Sequence, residues 1–330
     1  MNRFVDKIIS LELDEIEKYS FPRDELFGLK IIENGVKYEF LIKLSSYNNN
    51  LICFGSGAYK NSGPKATYPP IFNRWSWNKD FEESVLFYND PTLYLNNEVK
   101  LGWGVGFKED YYLEIISKII KLFAKGNNIS NNDILFYGSS GGGFTSIILA
   151  TLIKKSKVFV NNSQLILKNY YHKNVYKRMI KACFGDLDID TIYEKYGYRL
   201  SVLEMFKKEK YVPSIVYYVN SESKQDIINQ CIPFVEGFLE LPFLKDKVEI
   251  IFYTNNQRNK HNPLSNKKTI EIIKKVSKEN LCNNKNENPK NPSTNENAIS
   301  KKKIKKYISR KLINRGKLLK IKKLLKFNQE

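Results

Sequence analysis

The residues with the clearest chemical potential lie in DILFYGSSGGGFTSIILATLI, residues 133–153, where two serines and a run of glycines separate an apolar run from a helix-like segment. Gly138-Ser139-Ser140-Gly141-Gly142 matches G-x-S-x-G. In that motif a serine sits on a strained strand-to-helix turn, and the flanking glycines leave room for close packing. Only Ser140 has glycine both two before and two after it; Ser139 has Tyr137 and Gly141 at those positions. A phosphate cradle at a helix N-terminus would also use glycines. The lysine that follows the last glycine of a P-loop is missing, however, and Phe144 and Thr145 stand in its place. The chemistry implied is nucleophilic attack by the Ser140 hydroxyl.

Other reactive residue types form weaker patterns. Cys53, Cys183, Cys231 and Cys282 are far apart with no C-x-x-C pair, which argues against a zinc site or a disulfide framework. None sits in a nucleophile context. Asp186, Asp188 and Asp190 in GDLDID lack the glycine and terminal glutamate of a calcium loop, and read as a polar turn and helix start. Neither a metal nor a cofactor is expected. In PPIFNRWSW, residues 69–77, Arg74 could hold an anionic or sugar group, while Phe72, Trp75 and Trp77 read as core.

Around these residues the pattern is one of alternating strands and helices. Asn34-Gly35 lies between two strand-like runs, a strong signal for a hairpin with a type I′ turn. Apolar runs follow at NNLICFGSGAYKN, which ends in Gly55-Ser56-Gly57, and at SVLFYND. Residues 108–124 place Leu113, Ile116, Ile120 and Phe123 on one helical face, with Gly126 as the expected stop. The strand of 134–137, the serine turn, a helix through about Leu152 and the strand KVFVNN come next. Residues 163–211 break the rhythm as a helical insertion. It resumes with strands at 213–220 and 247–255 and helices at about 226–239 and 266–278. The expected fold class is α/β, a doubly wound, mainly parallel sheet with a helical insertion and a basic C-terminal tail.

Composition bounds the reading. With 330 residues, 42% of them hydrophobic, the chain has enough apolar material for a real core. No run reaches the roughly 18 apolar positions of a membrane span, and the acids near the N-terminus are unlike a signal peptide, so a cytoplasmic location is expected. The net charge of +19 is concentrated in residues 301–330, which hold 13 Lys or Arg against a single Glu330.

The order of elements, together with the G-x-S-x-G turn, resembles the α/β-hydrolase superfamily over residues 28–280. The resemblance implies a catalytic domain over 1–282 that contains the insertion at 163–211, while residues 283–300, rich in Asn, Pro and Ser, read from their composition as a disordered linker. It also implies a histidine after the last strand and an acid after the preceding one. The chain holds only two histidines. His261 lies where the family's base falls, whereas His172 lies in the insertion and reads as structural or substrate-facing. For the acid, Glu222 lies two residues past its strand and is preferred over Asp226, which would also suit a helix N-cap. The family's oxyanion donors fall on the amide of Gly141 and on that of Ser56 or Gly57. The implied activity is that of a serine esterase, deacetylase or acyltransferase working through an acyl-enzyme. The GSSGGG turn and the R-W-S-W segment are also similar to hydrolase-like proteins of bacterial surface-polysaccharide and glycoprotein modification, which points to an acyl group on a cell-surface glycan. Two rival readings are a catalytically inactive binding or assembly module in glycan synthesis and a nucleic-acid binder acting through the tail. No RRM, KH or zinc motif supports the latter.

The tail itself repeats Ile304, Ile308, Leu312 and then Leu318, Ile321, Leu325 at helical spacing opposite its basic residues, with Gly316 dividing it. Such a cationic amphipathic helix suits the anionic inner face of a membrane, where each basic residue contributes about 1 kcal/mol. The chain is therefore expected to co-sediment with phosphatidylglycerol vesicles at physiological salt, and a truncation after Leu281 to lose that binding. Equal sedimentation of both forms would exclude the tail as the anchor.

Overall fold

A computed structural model describes residues 1–60, 63, 67–243 and 248–279. The linker and basic tail expected at 283–330 lie outside the described residues.

The hairpin forms as its turn chemistry requires. Strands β2 (Leu26–Glu33) and β3 (Val36–Lys43) pair antiparallel, with Glu33 opposite Val36. Asn34 and Gly35 between them have φ of 50° and 73°, the positive values of a type I′ turn. In the sequence the first strand-like runs are those of this hairpin, which would make it the opening of the sheet, but it is not. A short strand β1 (Ile8–Leu11) pairs parallel to β2 along the outer edge. Four residues are too few to show a period, so this strand carried no legible signal.

The remaining strands are β4 (Leu51–Phe54), β5 (Ser84–Tyr88), β6 (Ile134–Ser139), β7 (Lys157–Asn161), β8 (Ser214–Asn220) and β9 (Val248–Tyr253). They form one nine-stranded sheet in the order β1-β2-β3-β5-β4-β6-β7-β8-β9. From β5 to β9 every pairing is parallel, while β3 runs antiparallel to both of its neighbours. Strands β4 to β7 read as continuous apolar runs because helices cover both of their faces.

One face carries α1 (Tyr112–Gly126), α2 (Gly141–Leu152) and the inserted helices α3 (Lys173–Phe184), α4 (Ile189–Tyr196) and α5 (Val202–Glu209). Leu113, Ile116, Ile120 and Phe123 of α1 are all buried there, as their spacing predicts. The other face packs α8 (Asn266–Lys278) through Ile272, Ile273 and Val276 against Leu135, Tyr137 and Phe159. Phe72 and Trp77 belong to this second core. After β8 the chain forms α6 (Lys224–Asp226), passes through one π-helical stretch (Ile227–Cys231) and continues as α7 (Ile232–Leu239). Among the described residues no helix is long and apolar enough to cross a membrane.

The junction of β6 and α2 is the tightest backbone contact near the candidate nucleophile. A Cβ added to Gly138 would lie 2.1 Å from the carbonyl oxygen of Gly142, and one added to Gly142 would lie 2.4 Å from that of Gly55. Backbone atoms at such distances cannot rotate away. Gly138→Ala is therefore expected to lower stability by about 1–3 kcal/mol or more, measurable as a reduced midpoint of urea unfolding. An unchanged midpoint would mean that α2 can lift off the sheet at little cost.

Candidate functional site

Ser140 sits between the end of β6 and the start of α2 with φ 55° and ψ −126°. That left-handed backbone is uncommon for a residue bearing a Cβ and is held in place by its surroundings. The Ser140 amide donates to Asn161 O at 3.3 Å, and its carbonyl accepts from Gly143 N at 3.2 Å and Gln164 N at 3.1 Å.

The side chain reaches His261, whose Nε2 lies 2.9 Å from Ser140 Oγ. On the other edge of the ring, Nδ1 lies 2.9 and 2.8 Å from the two carboxylate oxygens of Asp226. The Asp226 side chain is only 3% exposed and also accepts from the Ser223 hydroxyl. Expected at a helix N-cap, Asp226 lies instead in the first turn, with Ser223 at the cap position.

The preference for Glu222 over Asp226 does not match this arrangement. Asn220 Oδ1 accepts from the Glu222 amide at 3.0 Å, which closes a tight turn at the end of β8. Beyond that turn the Glu222 carboxylate is 41% exposed and pairs with Lys260 Nζ at 2.9 Å. It is Asp226, one helical turn further along, that reaches the histidine. Proximity to the strand end does not bring Glu222 to the histidine, because the turn redirects the chain before the helix starts.

Gly141 begins α2, where its N–H has no partner four residues earlier within the helix. Gly57 adjoins the serine: a Cβ built on it would lie 3.8 Å from Ser140 Cβ. Ser56 holds the loop beside it, its hydroxyl donating to Ile71 O at 3.0 Å and accepting from Asn73 N at 2.9 Å. Arg74, in the left-handed region at φ 66°, donates through Nη2 to Ser139 Oγ at 2.7 Å. Its guanidinium lies 5.4 Å from the ring centres of both Trp77 and Tyr137. Ser139 is thereby tied to Arg74 rather than to a base.

His172 does not join the serine. Its ring lies 4.0 Å from that of Tyr171, which in turn lies 6.2 Å from His261. Asp188 caps α4 by accepting from Thr191 N at 2.9 Å, and Asp186 pairs with Lys181. Cys53, Cys183 and Cys231 are buried, and burial raises all three thiols, Cys231 to about 12 and the other two well above their usual value. None offers a thiolate at neutral pH. Cys282 lies outside the described residues.

Several residues that support the histidine carried no legible signal. Asn162, fully buried with φ 45°, shares its amide protons among Tyr253 Oη, His261 O and Asn262 O, each at 3.0 Å. Its Oδ1 accepts from Asn220 N at 2.8 Å. Asn161 Oδ1 accepts from Leu264 N at 2.7 Å, and Asn220 Nδ2 donates to Lys260 O at 3.0 Å. In a chain rich in asparagine, these three did not stand out from the background. Beside His261 opens a cavity of about 500 Å³, lined by residues that include Glu222, Lys224, Gln225, Asn229, Asn259 and Lys260.

No family model matches this chain, and no curated protein sequence is significantly similar. Solved structures do share its fold. The capsule O-acetyltransferase of Neisseria meningitidis serogroup A aligns over 75% of this chain and 96% of its own, with a TM-score of 0.54 at 16% identity. A mutant of that protein in complex with CoA gives 0.55. A glycosylation-associated protein complex from Streptococcus agalactiae aligns over 76% of this chain and 45% of its own, with a TM-score of 0.51 at 13% identity. At these identities the likeness shows the fold, a mostly parallel sheet with flanking and inserted helices as in the α/β-hydrolases.

The asparagine support has a measurable consequence. Asn162→Ala leaves the buried Asn220 amide without its acceptor and the His261 and Asn262 carbonyls without their donor, and is expected to cost about 1–3 kcal/mol. It should also broaden the histidine loop's NMR resonances. Retained stability together with sharp, unshifted His261 resonances would show that the loop holds itself.

Proposed function

We propose that this chain is an acyl-transfer enzyme of the serine type, in which Ser140 is the nucleophile, His261 the general base and Asp226 the group that orients it. The observation that carries this reading is the placement of one imidazole between a serine hydroxyl at 2.9 Å and a buried carboxylate at 2.8 Å. The carboxylate accepts the Nδ1 proton, which leaves the Nε2 lone pair facing Ser140. The serine proton moves to Nε2 as Oγ attacks an ester or amide carbonyl. The amides of Gly141 and of Ser56 or Gly57 receive the resulting oxyanion. His261 then protonates the leaving group, and a water or hydroxyl acceptor resolves the acyl-enzyme by the same steps in reverse.

The substrate we propose is an acyl group carried to or from a cell-surface glycan. The fold shared with a capsule O-acetyltransferase and with a glycosylation-associated complex supports that choice. Arg74 next to the serine turn would hold an anionic or sugar group of the substrate. The basic tail would keep the domain near lipid-linked glycans on the inner membrane face.

A fluorophosphonate probe tests the catalytic assignment. Label is expected on Ser140, absent in Ser140→Ala and slowed by at least about 100-fold in His261→Ala. Asp226→Asn should slow labelling by about 10²- to 10⁴-fold, while Glu222→Gln stays within about twofold, as for an exposed ion pair. Label on another residue, or none on the folded protein, would overturn the reading. The reverse ranking of the two acids would return the role to Glu222.

A further inference from the structure

Ser140 Oγ has a second polar side-chain neighbour besides His261. Gln164, in the loop that follows β7, is only 1% exposed and places Nε2 2.9 Å from Oγ. Chemistry decides which way its amide faces. The indole nitrogen of Trp103 can only donate, and it lies 3.3 Å from Gln164 Oε1. The oxygen therefore turns to Trp103 and the NH2 to Ser140. Trp103 is fully buried and packs edge-on against Tyr170 at 5.2 Å, so this partner cannot turn to water instead. The backbone is held as well, because Gln164 N donates to Ser140 O and the Ser163 hydroxyl donates to Gln164 O at 2.7 Å.

The same reasoning fixes the serine proton. A hydroxyl has one proton to give and two lone pairs with which to accept. Gln164 can only donate to Oγ, and His261 Nε2, with the proton on Nδ1, can only accept from it. The Oγ–H bond must then point at His261.

We propose that Gln164 is a further catalytic residue, whose side-chain amide holds the Ser140 hydroxyl in its attacking orientation and stabilises negative charge on Oγ. This rests on the reading of Ser140 as the nucleophile. During acylation the Oγ–H bond breaks and its proton goes to Nε2. The Oγ–C bond forms, and the carbonyl π pair moves onto the carbonyl oxygen. During deacylation the Oγ–C bond breaks, its electron pair returns to Oγ, and Oγ takes the proton from His261. Gln164 keeps both of its amide protons throughout and acts on Oγ, the partner of the new bond. The backbone amides of Gly141 and Ser56 or Gly57 act on the carbonyl oxygen instead.

The rate of fluorophosphonate labelling, followed against pH, tests this. Gln164→Met keeps the length but cannot donate, and is expected to slow labelling about 10- to 100-fold with a melting temperature within a few degrees of wild type. Gln164→Glu separates catalysis from packing. While protonated, the new carboxyl can accept from Trp103 and donate to Oγ as the amide does. Once ionised it only accepts, and it draws the serine proton away from His261. Labelling of this variant should therefore fall as pH rises through the titration of the new group, a fall that wild-type labelling lacks. The charged groups nearby, Arg74, Asp226, Glu222, Lys224, Lys260 and His261 itself, are common to both proteins, so the difference reads the substitution. A folded methionine variant labelled at the wild-type rate, or a glutamate variant with a profile of wild-type shape, overturns the proposal. Should the methionine variant not fold, the glutamate profile decides alone. Absence of label on wild-type Ser140 would remove the nucleophile assignment and this inference with it, whereas normal Ser140 labelling with indifferent Gln164 variants removes only the inference.

Discussion

Backbone-to-backbone contact between the start of α2 and the ends of β6 and β4 is the constraint on which the site depends. Gly138, Gly142 and Gly55 leave no room for a single methyl group among them. Because the helix begins against the sheet, the chain must reverse within one residue, and Ser140 takes up that reversal in a left-handed conformation. The strain is offset by the buried neighbours and by hydrogen bonds from both sides of the turn. The outcome is a serine at the carboxyl edge of the sheet with its amide-bearing neighbour, Gly141, at the head of α2.

The second requirement is a histidine on a loop that must not wander. Loops ordinarily hold position less well than the elements they connect. Here the backbone around His261 is fastened by Asn161, Asn162 and Asn220, all at the ends of β7 and β8. The sheet thus supports the serine directly and the histidine through side-chain amides that reach across from neighbouring strands. Buried polar groups of this kind are costly unless every one is paired, and the pairing gives the loop one conformation.

Burial also separates the two acids. Glu222 is closer in sequence to the end of β8, but it is half exposed and engaged with Lys260. Asp226 is almost wholly enclosed, so its attraction for the imidazole is less screened by water. A carboxylate in that setting can select one tautomer of the histidine, which an exposed one does weakly.

Ser140, the hairpin at Asn34-Gly35 and the helices Tyr112–Gly126 and Asn266–Lys278 were legible in the amino-acid sequence. Each rests on a local rule: a glycine spacing, a positive-φ turn, or apolar residues recurring every three to four positions. The position of His261 was legible only through the resemblance in element order. The contact of Asp226, rather than Glu222, with His261, the clamp formed by Asn162 and the contact of Gln164 with Ser140 belong to the tertiary structure. They join residues 24 to 100 positions apart, and no local pattern encodes which of many similar asparagines, glutamines or acids a fold will bring together. Local sequence sets the conformation of each segment, whereas the partner of a polar side chain is decided by the crossing of strands that meet only when the sheet has formed.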